Sequence, residues 1–128
     1  MSDIINFIQN QPDLFFLKGA TDEEILQAEK SLGLEFDAEF RKYISVYGVA
    51  SFNGHELTGI CKSRRLNVVD ATIEAKEKNT HIPNNFYVVE KLGIDGAIVW
   101  QSTDGCLYQT TFYSEPIKIA RSLIEYFE

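Results

Sequence analysis

Residues 86–111 read FYVVEKLGIDGAIVWQSTDGCLYQTT, and this run decides the fold class. Within it Phe86 to Leu92, Ala97 to Gln101 and Cys106 to Thr111 are strand-like, parted by Gly93-Ile94-Asp95-Gly96 and by Thr103-Asp104-Gly105. Connections this short join neighbouring strands antiparallel, because a parallel pair needs a crossover of about a dozen residues or more. The run therefore predicts an antiparallel meander. On Ala97 to Gln101, Ile98 and Trp100 share one face while Ala97, Val99 and Gln101 share the other, so the sheet is expected to be buried on both sides.

Upstream the period changes. Ile4, Ile5, Phe7 and Ile8 have helical spacing and stop at Asn10-Gln11-Pro12, which predicts a short N-terminal helix. Thr21 three residues ahead of Glu24 is a capping box, and Ile25, Ala28 and Leu32 continue at helical spacing to Gly33, giving a helix over Asp22 to Leu32. Asp37 is the expected N-cap of a third helix, whose stripe Phe36, Phe40, Tyr43, Ile44 and Tyr47 ends at Gly48. The dipeptide Asn53-Gly54 marks a tight turn, with a strand Glu56 to Cys61 after it. Asp70 to Asn79 reads as an amphipathic helix. Ile117, Ala120, Leu123, Ile124 and Phe127 recur at helical spacing after Pro116, predicting a C-terminal helix over one sheet face. Helices first and strands joined by turns afterwards give α+β: an antiparallel sheet of about four to six strands with N-terminal helices and a C-terminal helix packed on it.

Length and composition bound the rest. A chain of 128 residues, 45% hydrophobic and 12% aromatic, is the size of one domain, 1–128, and can offset the entropy of folding. The N-terminal stretch lacks a basic n-region, and no run of about 18 uncharged apolar residues occurs, so neither a signal peptide nor a membrane span is expected and the chain is placed in the cytoplasm. Cys61 and Cys106 lie in strand-like runs and are read as reduced, buried and structural. With only His55 and His81 to join them, no spacing matches a metal site, and no cofactor is expected.

The net charge of -7 argues against direct nucleic-acid binding, which draws on Lys and Arg to neutralise phosphates. Lys62, Arg64 and Arg65 form one short basic cluster, read as a solvated turn. Between Asp22 and Glu39 seven acids face the single base Lys30, but most fall in helix first turns, where carboxylates complement the macrodipole without a partner. Asp95 and Asp104 precede turn glycines, which accounts for them by backbone chemistry. His55 and His81 sit at edge and loop positions, and no nucleophile-base pattern, P-loop or dinucleotide fingerprint is present. An enzymatic reading rests on His55 beside Glu56 alone. A small-ligand groove could draw on Trp100, Tyr87, Tyr108, Phe112 and Tyr113, which crowd the C-terminal half, although core packing explains most of them.

Several features in order then match a known pattern. They are Gly19-Ala20-Thr21, Glu24-Ile25 and Ala28-Glu29 opening a helix that Leu32-Gly33 ends; Phe36, Glu39-Phe40 and Tyr43 leading to Tyr47-Gly48; and Ser51, Asn53-Gly54, Glu56-Leu57 and Gly59-Ile60. Val69, Thr72, Pro83, the Phe86 to Val89 strand, Gly93 to Gly96 and Asp104-Gly105 before Tyr108 follow. Over residues 14–128 the chain resembles the SUKH superfamily of bacterial immunity proteins, which includes a fungal regulator of cell-wall synthesis. The resemblance implies a non-catalytic antidote that binds and blocks a cognate protein toxin, commonly a basic nuclease; a regulatory interaction scaffold for the cell envelope or signalling is the alternative. It transfers no partner-binding residues. Charge and expected exposure nominate Glu56, Asp70, Glu74, Asp95 and Asp104 beside the sheet, with oligomeric state left open.

Overall fold

The computed structural model describes residues 3–112 and 114–128. Met1, Ser2 and Tyr113, which the N-terminal and groove readings include, lie outside them. Among the described residues five helices and seven strands follow in the order α1 (Ile4–Gln9), β1 (Phe15–Lys18), α2 (Asp22–Leu32), α3 (Ala38–Val46), β2 (Tyr47–Phe52), β3 (His55–Glu56), α4 (Val68–Lys78), β4 (Phe86–Lys91), β5 (Ile98–Ser102), β6 (Leu107–Thr110), β7 (Ile117–Ala120) and α5 (Leu123–Phe127). They form the expected α+β architecture, with the antiparallel strands divided into two sheets, β1-β2-β3 and β4-β5-β6-β7.

Local chemistry sets the helix ends. The Glu24 N–H donates to Thr21 Oγ1 at 3.1 Å while Glu24 Oε1 accepts from the Thr21 N–H at 2.9 Å, completing the capping box, and Gly33 closes α2 at a φ of 68°. Asp37 caps α3 through the Glu39 N–H at 3.0 Å. Helix α4 begins at Val68, earlier than the sequence indicated, because Asn67 is its cap and accepts from the Val69 and Asp70 N–H groups.

The meander buries both faces, as its alternation requires. Tyr87, Val89 and Val99 enter the main core with Phe40, Tyr43 and Ile44, whereas Phe86, Val88 and Trp100 meet Ala71 and Ala75 of α4 in a second one. The hydroxyls of Tyr43 and Tyr87 each make two hydrogen bonds in the main core. Tyr43 donates to the Thr58 carbonyl at 2.8 Å and accepts from the Ala50 N–H at 3.0 Å; Tyr87 donates to Gln101 Oε1 at 2.7 Å and accepts from the Asp37 N–H at 3.0 Å. Helix α3 is thereby bonded to both sheets.

Four expectations are corrected. Tyr47 opens β2 rather than closing α3: a buried stripe that passes from helix to strand keeps its apolar spacing across the boundary. Of the expected Glu56 to Cys61 strand only Glu56 lies in a strand, as the end of β3, although the Leu57 and Ile60 N–H groups still donate to the Ala50 and Gly48 carbonyls of β2 at 3.0 and 2.8 Å. Beyond it the chain crosses toward β4, and Gly48 and Gly59 pack back to back; a Cβ on Gly59 would lie 1.7 Å from the Gly48 carbonyl oxygen, so Gly59 serves close approach rather than a turn. Ile117–Ala120 is strand β7, and α5 starts only after Ser122, whose Oγ accepts from the Glu125 N–H at 3.1 Å. Cys61 and Cys106 lie outside strands, half-exposed, and both are free thiols.

Replacing Tyr43 by Phe strands a buried N–H and a buried carbonyl together. Urea denaturation should report a loss of about 1–3 kcal/mol.

Candidate functional site

The five nominated acids fall into unlike settings. Glu56 is held by the Arg65 guanidinium at 2.5 and 3.2 Å, which keeps its carboxyl below the usual range. Glu74 pairs with Lys91 at 3.2 Å and is lowered for the same reason. Asp70 stands half-buried in the first turn of α4, and with Glu74, Arg64, Arg65 and Lys91 it lines a single depression of mixed charge. Lys62, Arg64 and Arg65 are exposed in and beside the turn before α4.

Asp95 sits exposed in the β4–β5 connection at a φ of 55°, at the Lys91 end of the meander. Asp104 occupies the next connection, and successive turns of an antiparallel meander lie at opposite ends. There it accepts hydrogen bonds from the Ser102 hydroxyl and, at 3.1 Å, the Cys106 N–H, which lower its pKa. The structure thus gathers Glu56, Asp70 and Glu74, leaves Asp95 at their border and sets Asp104 apart.

The acids between Asp22 and Glu39 divide by use. Glu24 caps α2 and Asp37 caps α3; buried Glu29 binds Arg41 at 2.6 Å and the Phe36 N–H at 2.8 Å; Glu39 receives the Leu123 N–H at 2.7 Å and so docks α5. Burial of Glu39 raises its pKa against those donors. Asp22 and Glu23 are exposed and have no ion-pair partner among the described residues.

Between α2 and the start of α4 lies an open depression of about 560 Å³. Glu23, Glu24 and Asp70 edge it, Ala28, Ile60 and Val69 are among its apolar walls, and no base lines it. Only Asp70 of this trio was nominated. Its neighbours were legible as three successive acids, but fold topology alone brings them opposite Asp70.

The histidine chemistry differs from the sequence reading. His55 Nδ1 lies 2.9 Å from Glu90 Oε2, not beside Glu56, whose carboxylate turns to Arg65. Glu90 is 1% exposed; its Oε1 accepts from the Glu56 N–H at 3.3 Å, and Oε2 also accepts from the Tyr126 hydroxyl. Burial first, then that carboxylate, pushes the Tyr126 pKa far up, so the phenol keeps its proton and donates. The ring of His55 packs against Phe52, Tyr126 and Phe127. Both carboxylate oxygens are engaged, which makes this a clamp joining β3, β4 and α5. No Ser, Thr or Cys hydroxyl or thiol bonds to His55 among the described residues. Glu90 escaped notice because a lone acid in a strand run reads as a surface position.

Among the described residues, no group of three or more His, Cys, Asp or Glu is arranged to hold a metal ion, and no helix is long and apolar enough to cross a membrane. The sequence profile of the family SUKH_5, described as SMI1-KNR4 cell-wall, matches residues 1–128. No curated relative matches the chain.

Two measurements follow from these sites. Glu90→Ala leaves His55, Tyr126 and the Glu56 N–H without their acceptor, and urea titration should show a loss of about 2–4 kcal/mol. Asp104 has a depressed folded pKa, so its contribution is present above its unfolded pKa and is lost as pH falls through the folded value. Below about pH 4 part of the acid lability should therefore disappear in Asp104→Asn, as read by circular dichroism against pH.

Proposed function

We propose, on the premise that the chain belongs to the SUKH_5, SMI1-KNR4 cell-wall, family, that it is a cytoplasmic immunity protein that binds a cognate toxin and blocks it without turnover. The partner is a basic domain of the nuclease kind. One observation carries the reading: the base-free acidic depression between α2 and α4, where Glu23, Glu24 and Asp70 stand together over apolar walls. A nuclease must present Lys and Arg to nucleic-acid phosphates, and these carboxylates offer the same side chains a competing anionic surface. The net charge of -7 speeds such an encounter, while the apolar walls add area to be buried. Blockade is stoichiometric occlusion of the substrate groove. The docking surface centres on Asp70 and α2, with Glu56, Glu74 and Asp95 along its border and Asp104 outside it.

A regulatory scaffold is the second reading, favoured by a different feature. Phe15, Phe16 and Leu17 are exposed on β1, the outer strand of its sheet, and such an edge suits binding by strand addition.

Co-expression with a basic toxin domain encoded beside this chain tests the first reading. The two proteins should co-purify one to one and growth should be restored. Glu23→Lys with Asp70→Lys should weaken the complex by about ten- to a hundredfold, Glu24 being left intact because it caps α2. Unrestored growth, or a double variant that binds as tightly as the parent, contradicts the proposal. Partner binding that survives the double variant and is lost in Phe16→Glu supports the scaffold instead.

A further inference from the structure

The second core is closed incompletely. Helix α4 covers Phe86, Val88 and Trp100 with Ala71 and Ala75, but it ends at Lys78, while the β4–β5 connection and Phe112 stand on the far side. Between them remains a half-open cavity of about 490 Å³, a volume usual for small-molecule sites, with Ala75, Ile98, Trp100 and Phe112 among its walls. Phe112 is 68% exposed and its ring lies on Gly96, where a Cβ would come within 2.5 Å of it; the glycine, at a φ of 67°, lets this wall form.

The buried polar side chains of the cavity wall are already bonded within the protein. The Trp100 indole N–H donates to Thr110 Oγ1 at 3.0 Å, and the Asn79 amide donates to the Ser114 carbonyl and accepts from the His81 N–H, each at 3.0 Å. Charge at the mouth comes from Glu74, Lys78 and Lys91. Glu74 pairs with Lys91 at 3.2 Å and also faces Lys78, which is not within ion-pair distance of it, so these three groups leave one net positive charge at the mouth of a chain that is otherwise strongly acidic.

We propose that this cavity binds a small amphipathic anion, with its apolar body against Trp100 and Ile98 and its carboxylate, phosphate or sulfonate at Lys78. A cation would meet Lys78 repulsively, and a neutral apolar molecule would find no group there to orient it. The site lies toward the C-terminal end of α4 and meets the border of the proposed partner surface at Glu74, but its apolar body and Lys78 lie outside the Asp70 and α2 centre of that surface, so the proposal does not rest on that assignment.

Trp100 is the only tryptophan in the chain and forms part of the cavity wall, so its emission reports on this site alone. The full-length protein is titrated with octanoate and, separately, with 1-octanol. Octanoate should change Trp100 emission saturably, and its affinity should fall about three- to tenfold in Lys78→Gln, as expected for a partly screened ion pair, and also fall in Phe112→Ala. Both side chains are exposed, and circular dichroism checks that the variants are folded. Glu23→Lys should leave the titration unchanged. Absence of a saturable response, or equal binding of octanol and octanoate with no effect of Lys78→Gln, overturns the proposal.

Discussion

The seam between the two sheets is the constraint on which this structure depends. No ladder pairing joins β3 to β4 among the described residues, and one backbone hydrogen bond together with several side-chain bonds supplies the join instead. Thr58 donates its N–H to the Val89 carbonyl at 2.8 Å and its hydroxyl to the Val88 carbonyl at 2.7 Å, and Glu90 reaches back to the Glu56 N–H and to His55. Such a join holds only if every buried polar group finds a partner, since an orphaned one costs its full desolvation. Tyr43 reinforces the seam from α3 through the Thr58 carbonyl, and Tyr126 closes it from α5.

The seam also decides where charge ends up. Carrying the chain from β3 through Gly59 to Asn67 sets α4 against both α2 and the meander, and the bases nearby are then taken up by particular acids. Arg65 goes to Glu56 and Lys91 to Glu74, while Asp70, one turn before Glu74, has no ion pair among the described residues and also lines the depression that holds the carboxylates of α2. With 19 acids and 12 bases, pairing cannot neutralise the whole surface. The excess beside α2 becomes a coherent anionic surface because the fold brings it opposite Asp70.

Much of the fold was legible, and what was not has identifiable causes. Thr21 with Glu24, and the turn dipeptides between apolar runs, are local signals whose partners lie within a few residues, so they could be read directly. Strand β1 was missed because all four of its residues are exposed and show no alternation. Ile117 and Ala120 share helical spacing with Leu123 by coincidence, although Ile117 and Ile119 also fit a strand's period of two. The site was less legible still: Asp70 could be nominated, but the pairs Glu56 with Arg65 and Glu74 with Lys91 span 9 and 17 residues, separations set by topology alone. Glu90 and His55, 35 residues apart, were out of reach for the same reason.

The central claim is that an acidic surface between α2 and α4 receives a basic protein partner. Hydrogen–deuterium exchange on the chain, free and then saturated with the basic toxin domain proposed as its partner, tests it most directly. The account predicts slowed exchange over residues 21–28 and 60–72, with the Thr103-Asp104-Gly105 turn unchanged. Protection confined to that turn or to strand β1, with none in α2 or the start of α4, would contradict it.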